Sequence, residues 1–218
     1  MKKLILLSTL FLLLAFFDYG QSVTIGTQVW STKNLDVSTF RNGNPIPNAK
    51  TNEEWENAGK NKQHAWCYYD HDSANGTKYG KLYNWYAVND PRGLAPRGWH
   101  VPSEEEWMIL LDFLGEYTVA GNMMKSNKGW DEYQFIDNNG NTTAKSINGN
   151  NSSGFTGLPG GSRLIAIFED LGKEGRWWSS TDASSTEAFS PYLRYDTYCF
   201  NSWFTFKDFG FSVRCIKD

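Results

Sequence analysis

The sequence predicts an α+β fold, with one clear amphipathic helix at about residues 103–115, one or two short helices, and several antiparallel strands with long loops. A helix start, a helix stop and a buried stripe are all readable in that one stretch. β-prone runs separated by Gly- and Asn-rich turns occupy most of the remaining chain. The 10 Trp, 11 Tyr and 14 Phe provide large side chains to fill a core. No repeat of fixed period is present, so one domain is expected.

The main helix is predicted from its own end signals. Ser103 is a suitable N-cap, and Glu106 three residues later completes a capping box. Acidic residues in the first turn also suit the positive end of the helix dipole. The apolar stripe recurs at i, i+3, i+4 and i+7: Trp107, Leu110, Leu111 and Leu114. Gly115 is a natural stop, so the pattern predicts a helix of about three turns docked on an apolar surface.

The other elements are predicted from weaker patterns. Thr51 and Glu54 open a short helix that ends at Gly59, with Trp55 inward, and residues 118–124 form a second. Strands are predicted in residues 23–35 and 191–206, both as hairpins, and in residues 64–69, 163–168, 175–181 and 209–215. Residues 79–88 fit either a buried strand or a short helical turn. Residues 127–153 are a long surface excursion.

The N-terminus has the pattern of a secretory signal peptide. Lys2 and Lys3 precede an apolar run at residues 4–17, which is too short to span a bilayer comfortably. We assign residues 1–20 to the signal peptide and residues 21–218 to the single domain. An uncleaved N-terminal anchor is the alternative. The protein is therefore expected to be secreted or to lie at the cell surface or in the periplasm, and not to be an integral membrane protein after cleavage.

Charge and cysteine content exclude several classes of function. The net charge is -3, and no Lys/Arg cluster is present, which argues against nucleic acid as a partner. The three cysteines, Cys67, Cys199 and Cys215, leave one over if a disulfide forms, and spacing alone does not choose the pair. The histidines are not at zinc-ligand spacing.

The segment at residues 70–76 partly resembles a calcium loop. An EF-hand would need an oxygen ligand at Ala74 and a bidentate Glu where Lys81 stands. A polar turn explains the segment better. Asp70 and Asp72 are kept as weak metal candidates, and no cofactor is predicted, calcium being the one possibility left open.

Catalytic signatures are absent from the sequence. The three acids at residues 104–106 are explained by the start of the helix, and no G-x-S-x-G nucleophile motif occurs. His100 is read as a hydrogen-bonded structural histidine, since a base needs an orienting partner. No catalytic residue is predicted. An acid pair drawn from turns, such as Asp70, Asp72, Asp182 and Glu187, would be needed for an enzyme.

Five sequence blocks resemble one known family. They are YGKLYNWYAV, RGWHVPSEEEW, LPGGSR, GRWWSST and SVRCIKD, in that order. Together they resemble the Fibrobacter succinogenes major paralogous domain over residues 23–218. The resemblance implies an exported or surface protein of a Bacteroidetes- or Fibrobacter-type bacterium. The layout is also similar to the C-type-lectin-like fold, which implies a mixed fold without implying sugar binding.

Departures from these patterns limit what is carried over. Many family members have a cysteine where this chain has Ala95, so the resemblance implies Cys67 as the partner of Cys215 in a disulfide. The calcium-and-sugar motifs of C-type lectins are absent, because Asn84-Trp85 and Asn89-Asp90 do not reproduce them. Calcium-dependent sugar binding is therefore not expected.

The function predicted is an exported, non-catalytic binding module for a polysaccharide, a surface glycan or another surface molecule. Exposed rings are the expected ligand contacts, because neighbouring residues on a strand face opposite ways and one of each pair can reach solvent. The candidates are Trp177, Trp178, Tyr198, Trp203 and Phe204. The alternatives are a polysaccharide-acting enzyme with a dispersed carboxylate pair and a structural surface-assembly domain.

Overall fold

A computed structural model describes residues 22–218, which form an α+β fold of short helices and mainly antiparallel sheets. The predicted signal peptide lies outside the described residues. The helices are α1 Asn52–Lys60, α2 Ser73–Tyr79, α3 Trp85–Val88, α4 Glu104–Leu114 and α5 Tyr117–Met124, with a 3-10 turn at Tyr69–His71. The strands are β1 Ser22–Ile25, β2 Gln28–Ser31, β3 Trp66–Cys67, β4 Leu82–Tyr83, β5 Trp99–His100, β6 Glu132–Ile136, β7 Thr142–Ser146, β8 Gly160–Arg163, β9 Phe168–Leu171, β10 Glu174–Arg176, β11 Glu187–Arg194, β12 Phe200–Phe206 and β13 Ile216–Lys217. None of the helices in the described part of the chain has the length and apolar character that a bilayer crossing requires.

The main helix, α4, is confirmed together with its end signals. Ser103 Oγ accepts the Glu106 N–H at 3.2 Å, and Glu106 Oε2 accepts the Ser103 N–H at 2.8 Å. Both bonds of the predicted capping box are therefore present. The helix ends at Gly115, whose φ of 106° is unfavourable for a residue with a side chain. Its buried residues are Trp107, Leu110 and Leu114, whereas Leu111 is only partly buried.

The stripe of α4 gives a matched pair of stability predictions. Leu110 is fully buried, so Leu110→Ala removes apolar contacts and leaves a cavity, and we expect a loss of about 2–5 kcal/mol of unfolding free energy. Leu111→Ala is expected to cost less than about 2 kcal/mol, because that side chain is already partly in water. Urea unfolding of the two variants measures both values. Equal losses would contradict the orientation of α4.

The largest sheet has the strand order β12-β11-β10-β8-β9. Strands β10 and β8 run parallel, and the other neighbours are antiparallel. The predicted aromatic hairpin is confirmed as β11 and β12, although it begins earlier, at Glu187. The strand predicted at residues 163–168 is wrong. That segment is the turn between β8 and β9, closed by the Leu164 N–H donating to Ile167 O at 2.9 Å.

A second sheet has the order β1-β2-β13-β5. The first predicted hairpin is confirmed, with Gly26 at its turn. The strand predicted at residues 209–215 is wrong, although most of that segment is buried. That segment makes isolated bridges, among them Tyr83↔Phe211 and Trp177↔Ser212, and only the residues after it form β13. A segment that crosses between several partners satisfies its backbone without a ladder of its own.

The ambiguous and irregular segments also take definite forms. Residues 79–88 contain both predicted alternatives, the short strand β4 and the helical turn α3. The excursion at residues 127–153 contains a hairpin, β6–β7, whose second strand is exposed throughout. The polar turn predicted at residues 70–76 is wrong after its first residues, because α2 begins at Ser73.

Two aromatic-rich clusters cover the two faces of the five-stranded sheet. One cluster contains Trp107, Trp177 and Phe189 with the stripe of α4. The other contains Trp178 and Ala188 with the buried segment near the C-terminal end. A third, smaller cluster surrounds Trp55. At residues 177–178, the sheet therefore lies as a central layer between these first two clusters.

Arg214 is a buried cation that joins separate parts of the chain. It is fully buried, and its guanidinium donates to backbone and side-chain oxygens. The acceptors and distances are Asn34 Oδ1 at 2.7 Å, Ser31 O at 2.8 Å, Phe155 O at 2.6 Å and Thr156 O at 2.8 Å. Burial lowers the pKa of Arg214, and these oxygens are what compensate the buried charge. The residue ties the β1–β2 hairpin to the glycine-rich segment before β8.

Candidate functional site

Two of the predicted ligand-contact rings lie in the core. Trp177 is 1% exposed and Trp178 is fully buried. They do point to opposite faces of the sheet, as expected for neighbours on an extended segment, but each face is covered by an aromatic cluster. Their indole N–H groups are also satisfied, by Asn34 Oδ1 and by Tyr83 O. The prediction of an exposed ring in this pair is wrong, and both are removed as ligand contacts.

The other three predicted rings reach solvent. Trp203 is 70% exposed, Phe204 46% and Tyr198 39%. All ten tryptophans lie within residues 22–218, and Trp203 is the only exposed one. Tyr198 lies over the buried Lys125, whose Nζ is 5.1 Å from the centre of its ring. The three rings do not form one groove, because Trp203 and Phe204 are neighbours on β12 and face opposite sides.

Strand register places Trp203 on a face that also carries polar side chains. Residues directly opposite each other in an antiparallel pair share a face, as do residues two apart on one strand. Asn201, two residues from Trp203, is opposite Tyr192, and Tyr192 is opposite Arg176. Glu174 and Arg194 form the next facing pair. We call this set the sheet-end surface: Trp203, Asn201, Tyr192, Arg176, Glu174 and Arg194.

The sheet-end surface lies beyond the edge of the covering cluster. Ala188 and Ser190, on the same face, are fully buried. Tyr192 and Arg194, farther along β11, are half-buried, as are Glu174 and Arg176 on β10. The face therefore changes from core to accessible surface along β11, between Ser190 and Tyr192. Sequence reasoning missed every member except Trp203, although the i, i+2 spacing of Glu174 and Arg176 was available as a signal.

The charged side chains of this surface form ion pairs with one another. Glu174 lies 3.3 Å from Arg176 and 3.8 Å from Arg194, and Arg194 also makes a two-point contact with Asp196 at 2.9 and 2.8 Å. Burial raises the pKa of Glu174, against the opposing effect of Arg176. Arg176 stacks over Tyr192 at 4.4 Å. Its Nε is buried with no hydrogen-bond partner in the described part of the chain.

This combination of groups suits a polyhydroxylated ligand. An exposed indole presents an apolar face on which the C–H face of a sugar ring can pack. Guanidinium, carboxylate and amide groups beside it offer charge-assisted donors and acceptors for hydroxyls. The surface therefore offers the kinds of contact that recognition of a sugar needs.

The weak metal candidates, Asp70 and Asp72, lie in a turn and at the start of a helix. Asp72 is the N-cap of α2 and accepts the Ala74 N–H at 2.9 Å. Asp70 lies in the 3-10 turn with φ 52°. Among residues 22–218, no group of three His, Cys, Asp or Glu side chains is arranged to hold a metal ion. Of the turn acids, Asp182 pairs with Lys207 at 3.2 Å.

The disulfide implied for Cys67 and Cys215 is absent, and this prediction is wrong. Both thiols are free and buried. They belong to different core clusters, Cys67 to the one around Trp55 and Cys215 to the one around Trp178. Burial raises the pKa of each thiol to about 12, so neither is a nucleophile at neutral pH. Cys199 is free and half-buried.

His100 joins the start of α4 to the C-terminal end of the described chain. Its Nε2 lies 2.7 Å from Glu106 Oε1, and its Nδ1 lies 2.7 Å from Asp218 Oδ1. Both ring nitrogens are therefore occupied, which supports the structural role predicted for this histidine. Burial lowers the pKa of His100, but the hydrogen bonds to Asp218 and Glu106 outweigh it, and the pKa is raised overall.

This raised pKa predicts a pH dependence of stability. A histidine whose pKa is higher in the folded state stabilises the fold fully below its unfolded pKa, about 6.5, and loses that contribution as pH rises through the folded pKa. His64 and His71 have lowered pKa values and contribute the opposite slope, so the effect of His100 is read from the difference in unfolding free energy between wild type and His100→Gln. We expect this difference to fall by up to about 1 kcal/mol from pH 6 to pH 8, because the His100 side chain is partly exposed. Urea unfolding of both proteins across this range measures it, and a difference that does not change with pH would refute the assignment.

Comparison with known families decides where the chain belongs. The family model of the Fibrobacter succinogenes major domain matches residues 23–217. The chain belongs to this family. No curated protein matches the sequence, and no solved structure matches it either. In this Fibrobacter succinogenes major domain, the five sequence blocks mostly form the framework: α3, the capped start of α4, β8, the buried Trp177–Trp178 pair and β13. Of the sheet-end surface, only Arg176 lies within a block.

Proposed function

We propose that this Fibrobacter succinogenes major domain is an exported, non-catalytic binding module whose sheet-end surface recognises a polysaccharide or a surface glycan. The observation that carries the proposal is the exposure of Trp203. A tryptophan 70% exposed on a regular strand loses the burial that normally stabilises it, and a ligand would restore that contact. The apolar segment at residues 4–17, read as a signal peptide, supports export.

The polar part of the surface supports a sugar over a purely apolar partner. Glu174, Arg176 and Arg194 surround one another and leave the Arg176 Nε without a partner. Sugar hydroxyls can hydrogen-bond to the accessible parts of these charged side chains, whereas an apolar partner would remove their hydration without replacing it. The proposal includes a C-type-lectin-like assignment of the mixed fold, which the layout of its elements supports, and it does not include a calcium-dependent mechanism.

Affinity electrophoresis in gels containing single polysaccharides tests the proposal. A panel of β-glucan, xylan, mannan and pectin covers neutral and acidic chains. We expect at least one polysaccharide to retard the wild-type protein and Trp203→Ala to abolish the retardation. Ile136→Ala is the matched control, because Ile136 is 74% exposed on the separate β6–β7 hairpin. Absence of retardation in every gel, or equal retardation of Trp203→Ala, would refute the proposal.

Glu174 favours one alternative strongly enough to be tested beside it. Burial raises the pKa of this carboxyl, which is a property of general acids in glycoside hydrolysis. Release of reducing ends from the bound polysaccharide, lost in Glu174→Gln, would indicate an enzyme. A binding module retains the polysaccharide without releasing reducing ends, in the wild-type protein and in the variant alike.

A further inference from the structure

We infer that β12 is a self-association edge, at which two copies of this chain pair antiparallel about a two-fold axis and join their five-stranded sheets. β12 is the terminal strand of its sheet, and within residues 22–218 only β11 pairs with it. An edge strand presents a row of unpaired backbone groups that another strand can complete. This inference is independent of the ligand proposed above.

The backbone groups on the outer edge of β12 can be identified from the register. Lys207 N–H donates to Thr186 O at 2.9 Å, which makes this a hydrogen-bonded pair. Hydrogen-bonded and non-hydrogen-bonded pairs alternate, so Asn201, Trp203 and Thr205 bond to β11. The backbone groups of Ser202, Phe204 and Phe206 consequently point away from the sheet. Of these, Phe206 O accepts the Phe209 N–H at 3.0 Å, and a carbonyl can accept a second bond.

β12 also lacks the features that protect edge strands. Natural edges are blunted by charged side chains, proline, bulges or shortness. The sequence of β12, FNSWFTF, has seven residues and contains neither a charge nor a proline, and its pairing with β11 is uninterrupted. The opposite edge, β9, has four residues with the sequence FEDL, two of them acidic. Helix α5 packs beside the beginning of β12, where Gly121 lies against the backbone of Tyr198 and Cys199. The acidic edge β9 is therefore protected, whereas the part of β12 from Ser202 to Phe206 is not.

The composition of β12 favours a second copy of the chain as its occupant. The chain carries a net charge of -3, so a contact between copies must avoid opposing like charges, and an uncharged strand does so. A two-fold axis midway between the Phe204 residues of the two copies pairs Phe204 with its own counterpart. It also pairs Ser202 with Phe206 of the second copy. The outward N–H and C=O groups then meet in reciprocal pairs. The half-exposed Phe204 and Phe206 rings, which share a face, are covered by those of the other copy.

The same axis determines the arrangement of Trp203 in the dimer. An axis perpendicular to the joined sheet keeps equivalent faces of the two copies on one side. Trp203 faces the other direction from Phe204 and remains exposed there. Two sheet-end surfaces would thus lie on one continuous face, where a polymeric ligand can contact both and gain avidity.

Sedimentation velocity of the protein expressed from its full sequence tests the inference. We expect a reversible dimer whose proportion rises over about 1–100 µM, the range of contacts of limited area. Phe204→Lys and Phe204→Glu should each be monomeric, because like charges would face each other across the axis. Mixing the two variants should restore a 1:1 dimer, which native mass spectrometry identifies. Ile136→Lys replaces an exposed apolar residue on the separate β6–β7 hairpin, and it should leave dimerisation unchanged.

Three outcomes would overturn the inference. They are a wild-type protein that is monomeric over the whole range, a Phe204→Lys protein that still dimerises, and a mixture of the charged variants that stays monomeric while each retains its melting temperature. If the charged variants unfold, Ser202→Pro provides the second test. This change removes an outward N–H without breaking the ladder to β11, and it should reduce dimerisation at least tenfold. An unchanged dimer of Ser202→Pro would also overturn it.

Discussion

Arg214→Met is expected to lower the unfolding free energy by about 3–5 kcal/mol, because several buried oxygens lose the one cation that donates to them. Met retains much of the side-chain volume but donates no hydrogen bond. The substitution would leave the carbonyls of Ser31, Phe155 and Thr156 without this donor, whereas Asn34 Oδ1 would keep the hydrogen bond from Trp177 Nε1. Each buried acceptor left unpaired costs about 1–3 kcal/mol before the structure relaxes.

Equilibrium unfolding in urea measures this loss, with two further variants for comparison. The unfolding free energy of Arg214→Lys should lie between those of wild type and Arg214→Met. An ammonium group keeps the charge but lacks the planar guanidinium that reaches several oxygens. Arg194→Met should cost less than about 1 kcal/mol, since that side chain is 43% exposed and pairs at the surface. A loss for Arg214→Met no larger than that for Arg194→Met would show that the buried network contributes little.

Trp203→Ala is expected to weaken polysaccharide binding at least 30-fold, about 2 kcal/mol, as for a central aromatic contact in other interfaces. The ring makes little contribution to the core because it is 70% exposed, so the melting temperature should change little. Trp203→Phe should retain part of the affinity, since it keeps a smaller stacking face. These responses separate a ligand contact from a structural one.

The neighbouring residue provides a sharp control for that experiment. Phe204 is half-exposed on the same strand but faces the other side of the sheet, where it packs against Phe189 at 5.9 Å between ring centres. Phe204→Ala should therefore leave the affinity of one protein copy for a short oligosaccharide within about twofold. Isothermal titration calorimetry with an oligosaccharide too short to bridge two copies measures it. Equal losses in Phe204→Ala and Trp203→Ala would contradict the assignment of the site to one face.

Local signals allowed α4 to be predicted from sequence. Ser103, Glu106 and Gly115 each act within a few residues of their own position, so the helix start and end could be read directly. The hairpins β1–β2 and β11–β12 were similarly accessible from alternation and turn residues. By contrast, the segment at residues 209–215 bridges distant partners, and no local pattern distinguishes it from a strand.

Burial at the candidate site depended on distant parts of the chain. Alternation correctly predicted opposite directions for Trp177 and Trp178, but it did not reveal that helices and loops cover both sides of the sheet there. The sheet-end surface required the register of three strands, β10, β11 and β12, which is set by tertiary packing. Trp203 alone was accessible from sequence, because one of two neighbouring rings on a strand was expected to reach solvent.

The β6–β7 hairpin has a consequence for how this domain can change. Its strands pair only with each other, and every residue of β7 is exposed. Contact with the rest of the protein includes the Tyr133–Tyr195 ring pair and the bond from Lys125 to Ile147 O at its base. The tip, at residues 138–140, can therefore lengthen or vary without disturbing the packed layers. Such a site lets a lineage diversify the outline of the domain, or an experimenter insert a tag, while the framework is inherited unchanged.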